Sequence, residues 1–267
     1  MTTMRPEQPT PDYVPGHGLL ADKVVVVTAA AGAGIGAAVA RRALEESAGV
    51  VIISDTHERR LAEAQESLGA EFGQDRVRSL AVDVTVESQV RALLDIADEH
   101  GGVDVMVNNA GLGGTADVLE MADDEWSRVL DITLTGTFRC VRAAGNRMRA
   151  AGKRGVIVNN ASVIGWRAQE GQAHYAAAKA GVMALTRCAA LDVAPYGIRV
   201  NAVAPSLAMH PFLAKVTSDE LLAELKQREA FGRAAEPWEV ANVMVFLASD
   251  YSTYLTGEVI SVSSQRA

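Results

Sequence analysis

Short apolar runs alternate with longer amphipathic stretches along this chain. The first run, Val24 to Val27, is four valines in succession. A strand with one wet face alternates apolar and polar side chains, so an unbroken run reads as a strand covered on both faces, as in a parallel sheet. Runs at Val50–Ile53, Val103–Val107 and Val156–Val158 repeat the signal, and weaker ones stand at Leu80–Val82, Ile198–Val203 and Val259–Val262. Between them, segments such as Ile35–Glu46, Glu87–Glu99, Trp126–Ala150 and Tyr175–Ala194 carry helical spacing. Strand and helix in strict alternation predict an α/β domain with a doubly wound parallel sheet of about seven strands. Residues 206–232 break the rhythm with an apolar, partly helical insertion. Residues 1–19 read as a flexible, polar and Pro-rich tail, and residues 20–267 as one domain.

Composition narrows the class. The chain has 267 residues, 49% hydrophobic, with a formal net charge of -8. No run of Lys or Arg makes a basic stripe, which argues against nucleic acid and anionic membrane surfaces as partners. No apolar stretch reaches the roughly 18 residues of a membrane span, and the N-terminus lacks a signal peptide's apolar centre. Two cysteines, Cys140 and Cys188, make no disulfide framework; free thiols in a reducing cytoplasm are expected. No metal-ligand set is read from the sequence.

The first strand runs into Thr28, Ala29, Ala30, Ala31, Gly32, Ala33, Gly34, Ile35 and Gly36, and a helix follows. Glycines let a backbone turn tightly and approach a pyrophosphate, whose charge the helix N-terminus favours. Asp55 closes the second strand, nineteen residues after Gly36. A carboxylate there can accept both hydroxyls of an adenosine ribose. Loop and carboxylate together point to a Rossmann-type dinucleotide site, and a loop without Arg or Lys beside an Asp favours NAD over NADP.

The segment from Asn159 to Val182 holds the strongest chemistry. Ser162 closes a strand, Tyr175 follows thirteen residues later, and Lys179 four after that. Positions i and i+4 share a helix face, so phenol and ammonium are neighbours. A cation beside a Tyr favours the phenolate and lowers its pKa. Tyr175 is then expected to exchange a proton with a substrate oxygen that Ser162 holds.

On these motifs the chain resembles the short-chain dehydrogenase/reductase family, of the single-domain type, from about Leu20 onward. The matching residues are Gly34-Ile35-Gly36, Asp83-Val84, Asn108-Asn109-Ala110-Gly111, Ser162, Tyr175-Ala176-Ala177-Ala178-Lys179, Arg199-Val200-Asn201 and Leu255-Thr256-Gly257. The resemblance implies hydride transfer between a nicotinamide and a secondary alcohol or ketone. It implies that Thr28, Gly32, Gly34, Ile35, Gly36, Asp55, Asp83, Val84, Asn109, Ala110, Gly111, Tyr175, Lys179 and Pro205 contact or support the NAD site. In that reading Asp83 and Val84 line the adenine, Asn109 steadies the central strand, and Lys179 binds the nicotinamide ribose. A homotetramer or homodimer is also implied.

Four departures stand out. Ala29 and Ala30 fill the places of the family's Thr-Gly, and the loop is one residue longer. The helix Asn of the family's proton relay falls on Thr133; the resemblance implies that the relay water is held largely by the backbone there, and the Thr hydroxyl can still offer one donor and acceptor. Pro205-Ser206 replaces Pro-Gly, with His210 where a Thr clasps the carboxamide. Ser263-Ser264 replaces a C-terminal Gly-Gly.

The apolar residues of 206–232, with Trp166 after Ser162, suit a bulky substrate. The loop Thr28-Ala29-Ala30-Ala31-Gly32 and the run Asn159-Asn160-Ala161-Ser162 are similar to those of bacterial steroid-ring catabolism members of the family. That similarity implies a ring-bearing, steroid-derived hydroxyacyl-CoA. A 3-oxoacyl thioester reductase is the alternative within the family, and a nucleotide sensor without catalysis is the alternative outside it.

Overall fold

A computed structural model of the chain describes residues 7–209 and 219–264, apart from the side chains of Asp219 and Leu221. His210, Phe212, Leu213 and Val216, which belong to the insertion, lie outside the described residues.

Seven strands form one sheet in the order β3-β2-β1-β4-β5-β6-β7. They are β1 (Val24–Thr28), β2 (Val50–Asp55), β3 (Val77–Ala81), β4 (Val105–Asn108), β5 (Val156–Asn160), β6 (Arg199–Pro205) and β7 (Val259–Val262). All six pairings are parallel. The helices are α1 (Ile35–Glu45), α2 (Glu58–Phe72), α3 (Glu87–Glu99), α4 (Asp123–Leu130), α5 (Gly136–Ala150), α6 (Ala173–Val193), α7 (Asp219–Arg228) and α8 (Pro237–Ala248).

The run of four valines has its explanation in two cores. Val25 and Val27 pack with Val39, Ala43, Leu44, Val240 and Met244 of α1 and α8. Val24 and Val26 pack with Val90, Leu93, Leu94, Cys140 and Met148 of α3 and α5. A polar residue at any of these strand positions would be stranded in one core or the other, so alternation is absent.

The sequence pattern reads Trp126–Ala150 as one helix, and the structure divides it. A π-helical turn, Asp131–Thr135, separates α4 from α5. Such turns insert one extra residue in the hydrogen-bonding register and cluster at functional sites. Here the turn carries Thr133.

Residues 8 to 18 form no helix or strand, yet they are tethered along α1. At the end of that helix Arg42 and the fully buried Glu46 pair at 2.6 Å. The other Glu46 oxygen accepts the His17 and Leu19 N–H groups at 2.7 and 2.9 Å. Tyr13 meets Trp238 edge-on at 5.2 Å. The Gln8 N–H reaches the Phe231 carbonyl at 2.9 Å, at the far foot of the insertion after β6.

That insertion is held by its base. Ala208 bridges Ala235, the Met209 N–H donates to the Ala235 carbonyl at 2.9 Å, and the Ala235 N–H donates to the Leu207 carbonyl at 2.8 Å. Buried Glu229 accepts the Ser264 hydroxyl at 2.8 Å and the Leu207 N–H at 3.4 Å. Ser264, which departs from the family's Gly, therefore serves as a donor that anchors the insertion.

Candidate active site

Strand order reverses between β1 and β4, and the crevice beyond their carboxyl ends is where open α/β sheets bind ligands. The glycine loop, the Asn108–Gly111 turn and the end of β5 converge there.

Thr28 ends β1 and is buried. Its Oγ1 accepts the N–H groups of Asn109 and Ala110, each at 3.0 Å, so it joins β1 to the turn after β4. Asn109 donates from Nδ2 to the Ala29 carbonyl at 3.0 Å and accepts at Oδ1 from Asn160 Nδ2 at 2.9 Å. The Asn160 carbonyl in turn accepts Lys179 Nζ at 2.6 Å. A continuous polar chain thus runs from the glycine loop to the lysine. The sequence pattern does not single out Asn160 as a site residue. The signal that could have found it is the pair of Asn doublets ending β4 and β5, with Asn108 in register with Asn159.

Ala29 sits at φ +52°, in the left-handed region that favours glycine. For a non-glycine residue this costs about 1–2 kcal/mol. An alanine holds this conformation here, with its carbonyl accepting from Asn109 Nδ2. At Gly36 an added Cβ would lie 2.3 Å from the Ala29 carbonyl oxygen and 2.5 Å from Asn109 Nδ2, so only glycine lets α1 approach the loop.

Asp55 accepts the Ala31 N–H at 3.2 Å and the His57 N–H at 3.0 Å. Asp83 accepts the Thr85 N–H and hydroxyl at 2.9 and 2.7 Å, which caps the turn after β3. Buried Val84 packs on Gly136, where an added Cβ would meet its Cγ2 at 2.6 Å. Pro205 ends β6 in register with Val262.

Ser162 and Tyr175 share a hydrogen bond. Burial pushes the Tyr175 phenol above its ordinary value, and the Ser162 bond opposes that rise only in part. The expectation that Lys179 lowers it is corrected. Lys179 Nζ lies 5.5 Å from the Tyr175 ring centroid and donates to Asn160 instead. Lys179 is itself 3% exposed, and burial pulls it down to about 8.

Thr133 is fully buried beside this lysine. Its hydroxyl accepts the Leu112 N–H at 2.9 Å and donates to the Leu112 carbonyl at 3.1 Å. Its one donor and one of its two acceptor lone pairs close on a single backbone residue. The Thr133 carbonyl accepts the Thr137 hydroxyl at 2.8 Å.

The space fits an extended dinucleotide. Over Gly32, at φ +123°, and over Gly34, no atom lies within 4 Å of an added Cβ, which leaves the loop open above its N–H groups. An added Cβ on Gly111 would lie 3.4 Å from Lys179 Nζ and would fill the cradle between Lys179 and Thr133. Ser162, Tyr175 and Lys179 are neighbours here, the grouping a ribose and a substrate oxygen would need.

The comparisons agree with this geometry. The family profile described as enoyl-(acyl carrier protein) reductase matches residues 29–264. The chain is 63% identical over 256 residues to the Mycobacterium tuberculosis protein named (5R,7aS)-5-hydroxy-7a-methyl-1-oxo-2,3,5,6,7,7a-hexahydro-1H-indene-carboxyl-CoA reductase, covering 96% of this chain and 97% of that one. A crystal structure of a short chain dehydrogenase from Mycobacterium smegmatis superimposes with a TM-score of 0.86 at 55% identity, covering 97% of this chain and 99% of that one. A 3-oxoacyl-[acyl-carrier protein] reductase from Brucella melitensis with bound NAD gives a TM-score of 0.86 at 34% identity, covering 96% and 97%. With a nicotinamide-binding Rossmann fold and relatives named as reductases and dehydrogenases, the chain is an oxidoreductase acting on CH–OH groups, and it belongs to the short-chain dehydrogenase/reductase family.

Proposed function

We propose that this protein is an NAD(H)-dependent oxidoreductase of a ring secondary alcohol carried on a steroid-derived acyl-CoA. The observation that carries the substrate class is the 63% identity, over nearly the whole of both chains, to a reductase of a methyl-oxo-hexahydroindene carboxyl-CoA. The apolar insertion after β6 and the half-exposed Trp166 beside Ser162 support a bulky, apolar substrate.

Ser162 holds the reacting oxygen and Tyr175 exchanges its proton. A bound nicotinamide supplies hydride acceptance and return. Lys179, fixed by the Asn160 carbonyl, binds the ribose. Thr133 pins Leu112 through its hydroxyl and keeps one acceptor lone pair for a relay water. Asp55 supports NAD over NADP: it presents a fixed carboxylate where a 2′-phosphate would sit. The two free cysteines, one buried and one exposed, support a reducing cytoplasm as the setting.

The test is catalytic efficiency with a bicyclic hydroxyacyl-CoA against a straight-chain 3-hydroxyacyl-CoA. The ring substrate is expected to win by about tenfold or more, or 1.4 kcal/mol in transition-state binding. A tenfold win for the straight chain replaces this reading with the 3-oxoacyl thioester reductase. No NADH formation from any secondary alcohol would favour the sensor.

A further inference from the structure

We propose that His174, the residue before Tyr175, is a positioning residue for substrate. It fixes the segment Gly113–Ala116, one wall of the site, between α6 and α4. The proposal rests on the reading of Tyr175 as the proton-exchanging group.

His174 is 0% exposed, and neither ring nitrogen has a hydrogen-bond partner among the described residues. A buried imidazole left in that state is unfavourable, and such groups call for an explanation. Its surroundings supply one. An added Cβ on Gly114 would come within 3.0 Å of His174 Nε2, so the ring edge lies directly against the wall's backbone. The neighbouring Gly113 faces the Tyr175 ring, with an added Cβ 3.7 Å from Cδ2. Two consecutive wall residues therefore rest on two consecutive residues of α6.

The approach to α6 clamps the same wall. Gln172 Nε2 donates to the Gly114 carbonyl at 2.5 Å and to Thr115 Oγ1 at 3.2 Å. The Ala116 N–H donates to the Gly171 carbonyl at 3.0 Å. At the same Nε2 edge His174 faces Glu125 of α4, whose Oε1 lies 3.5 Å from Nε2 and 3.3 Å from the added Cβ on Gly114. The Glu125 side chain is 41% exposed and has freedom to close that gap. The wall, His174 and Glu125 of α4 thus meet at one point, where His174 backs the wall. A bulky ring pressing on Gly113 pushes the wall toward His174, and the Glu125 contact resists the motion.

Hydrogen exchange on the cofactor-free chain and steady-state kinetics test this together. His174→Leu keeps the bulk and loses the polar contact. Its Ala116 amide is expected to exchange at least about tenfold faster than in the parent. Its KM for the alcohol is expected to rise about tenfold, with saturating kcat and NADH affinity within about threefold of the parent. His174→Gln, which can still donate to Glu125, is expected to restore both. Unchanged exchange and KM in His174→Leu overturn the proposal. So does an equal fall in kcat and NADH affinity, which would make His174 a packing residue alone. Should His174→Leu not fold, Glu125→Ala on the surface of α4 is expected to speed Ala116 exchange, and no change there also overturns it. The exchange arm uses no substrate, so a wrong substrate assignment leaves it standing.

Discussion

The Asp55 carboxylate accepts the backbone N–H of Ala31 at 3.2 Å, which bonds the acid ending β2 to the glycine loop itself. The His57 N–H holds the other oxygen at 3.0 Å, so the group is oriented before any ligand arrives. A 2′-phosphate placed there meets a like charge. At about 4 Å and an effective dielectric of about 20, unit charges repel by roughly 4 kcal/mol, which solvent then reduces. NADP(H) efficiency is expected to fall at least about tenfold below that of NAD(H), or 1.4 kcal/mol. Asp55→Ser is expected to shrink the ratio. Equal kcat/KM for the two cofactors in the parent refutes the assignment.

Tyr175→Phe is expected to lower turnover by about 10²–10⁴-fold, the range for loss of a general acid–base group. The ring that packs on Gly113 is retained, so NADH fluorescence titration is expected to give an unchanged Kd. Turnover within threefold of the parent would place the proton transfer on another group.

Lys179 gives a pH signature in the cofactor-free protein. Its folded value of about 8 lies below its ordinary 10.5, because burial disfavours the ammonium. Between these values the unfolded chain binds the extra proton, so this group makes the fold more stable as pH rises from about 8 to 10.5. Denaturant unfolding of the parent and of Lys179→Met is to be compared across that window. Across it the parent is expected to gain up to about 3 kcal/mol relative to the variant, because a one-proton difference is worth about 1.4 kcal/mol for each step of one in pH. A difference that does not change with pH means that the lysine is not desolvated.

Thr133→Val keeps the shape and removes both bonds to Leu112. The stranded N–H and carbonyl are expected to cost about 1–3 kcal/mol in unfolding free energy. Thr133→Ser keeps the hydroxyl and is expected to stay near the parent in rate. A Thr133→Val protein as stable as the parent would show that the hydroxyl does not hold the loop.

The sheet is legible in the sequence because its central strands are buried on both faces. Val24–Val27 has no alternative but a two-sided core. The glycine loop, Ser162, Tyr175 and Lys179 are legible because each is tied to a short spacing. What escapes is nonlocal. Thr133 meets Leu112, twenty-one residues away, and nothing in the helical pattern marks that meeting or the π-helical turn that permits it. The left-handed Ala29 escapes because alanine signals a helix or a core before it signals a turn. Nothing local marks His174, and Asn160 enters only as part of a run, until the strands and loops around them are assembled.

The line of bonds from Ala29 through Asn109 and Asn160 to Lys179 makes one mechanical unit of two half-sites. A pyrophosphate settling on the glycine loop stiffens the same chain that a ribose needs at the lysine. Fragments of the dinucleotide should therefore help each other to bind. Adenosine diphosphate and nicotinamide riboside, offered together, should show synergy by calorimetry that vanishes in Asn160→Val. In this enzyme the linkage between the halves of the coenzyme is supplied twice, once by its own pyrophosphate and once by the protein.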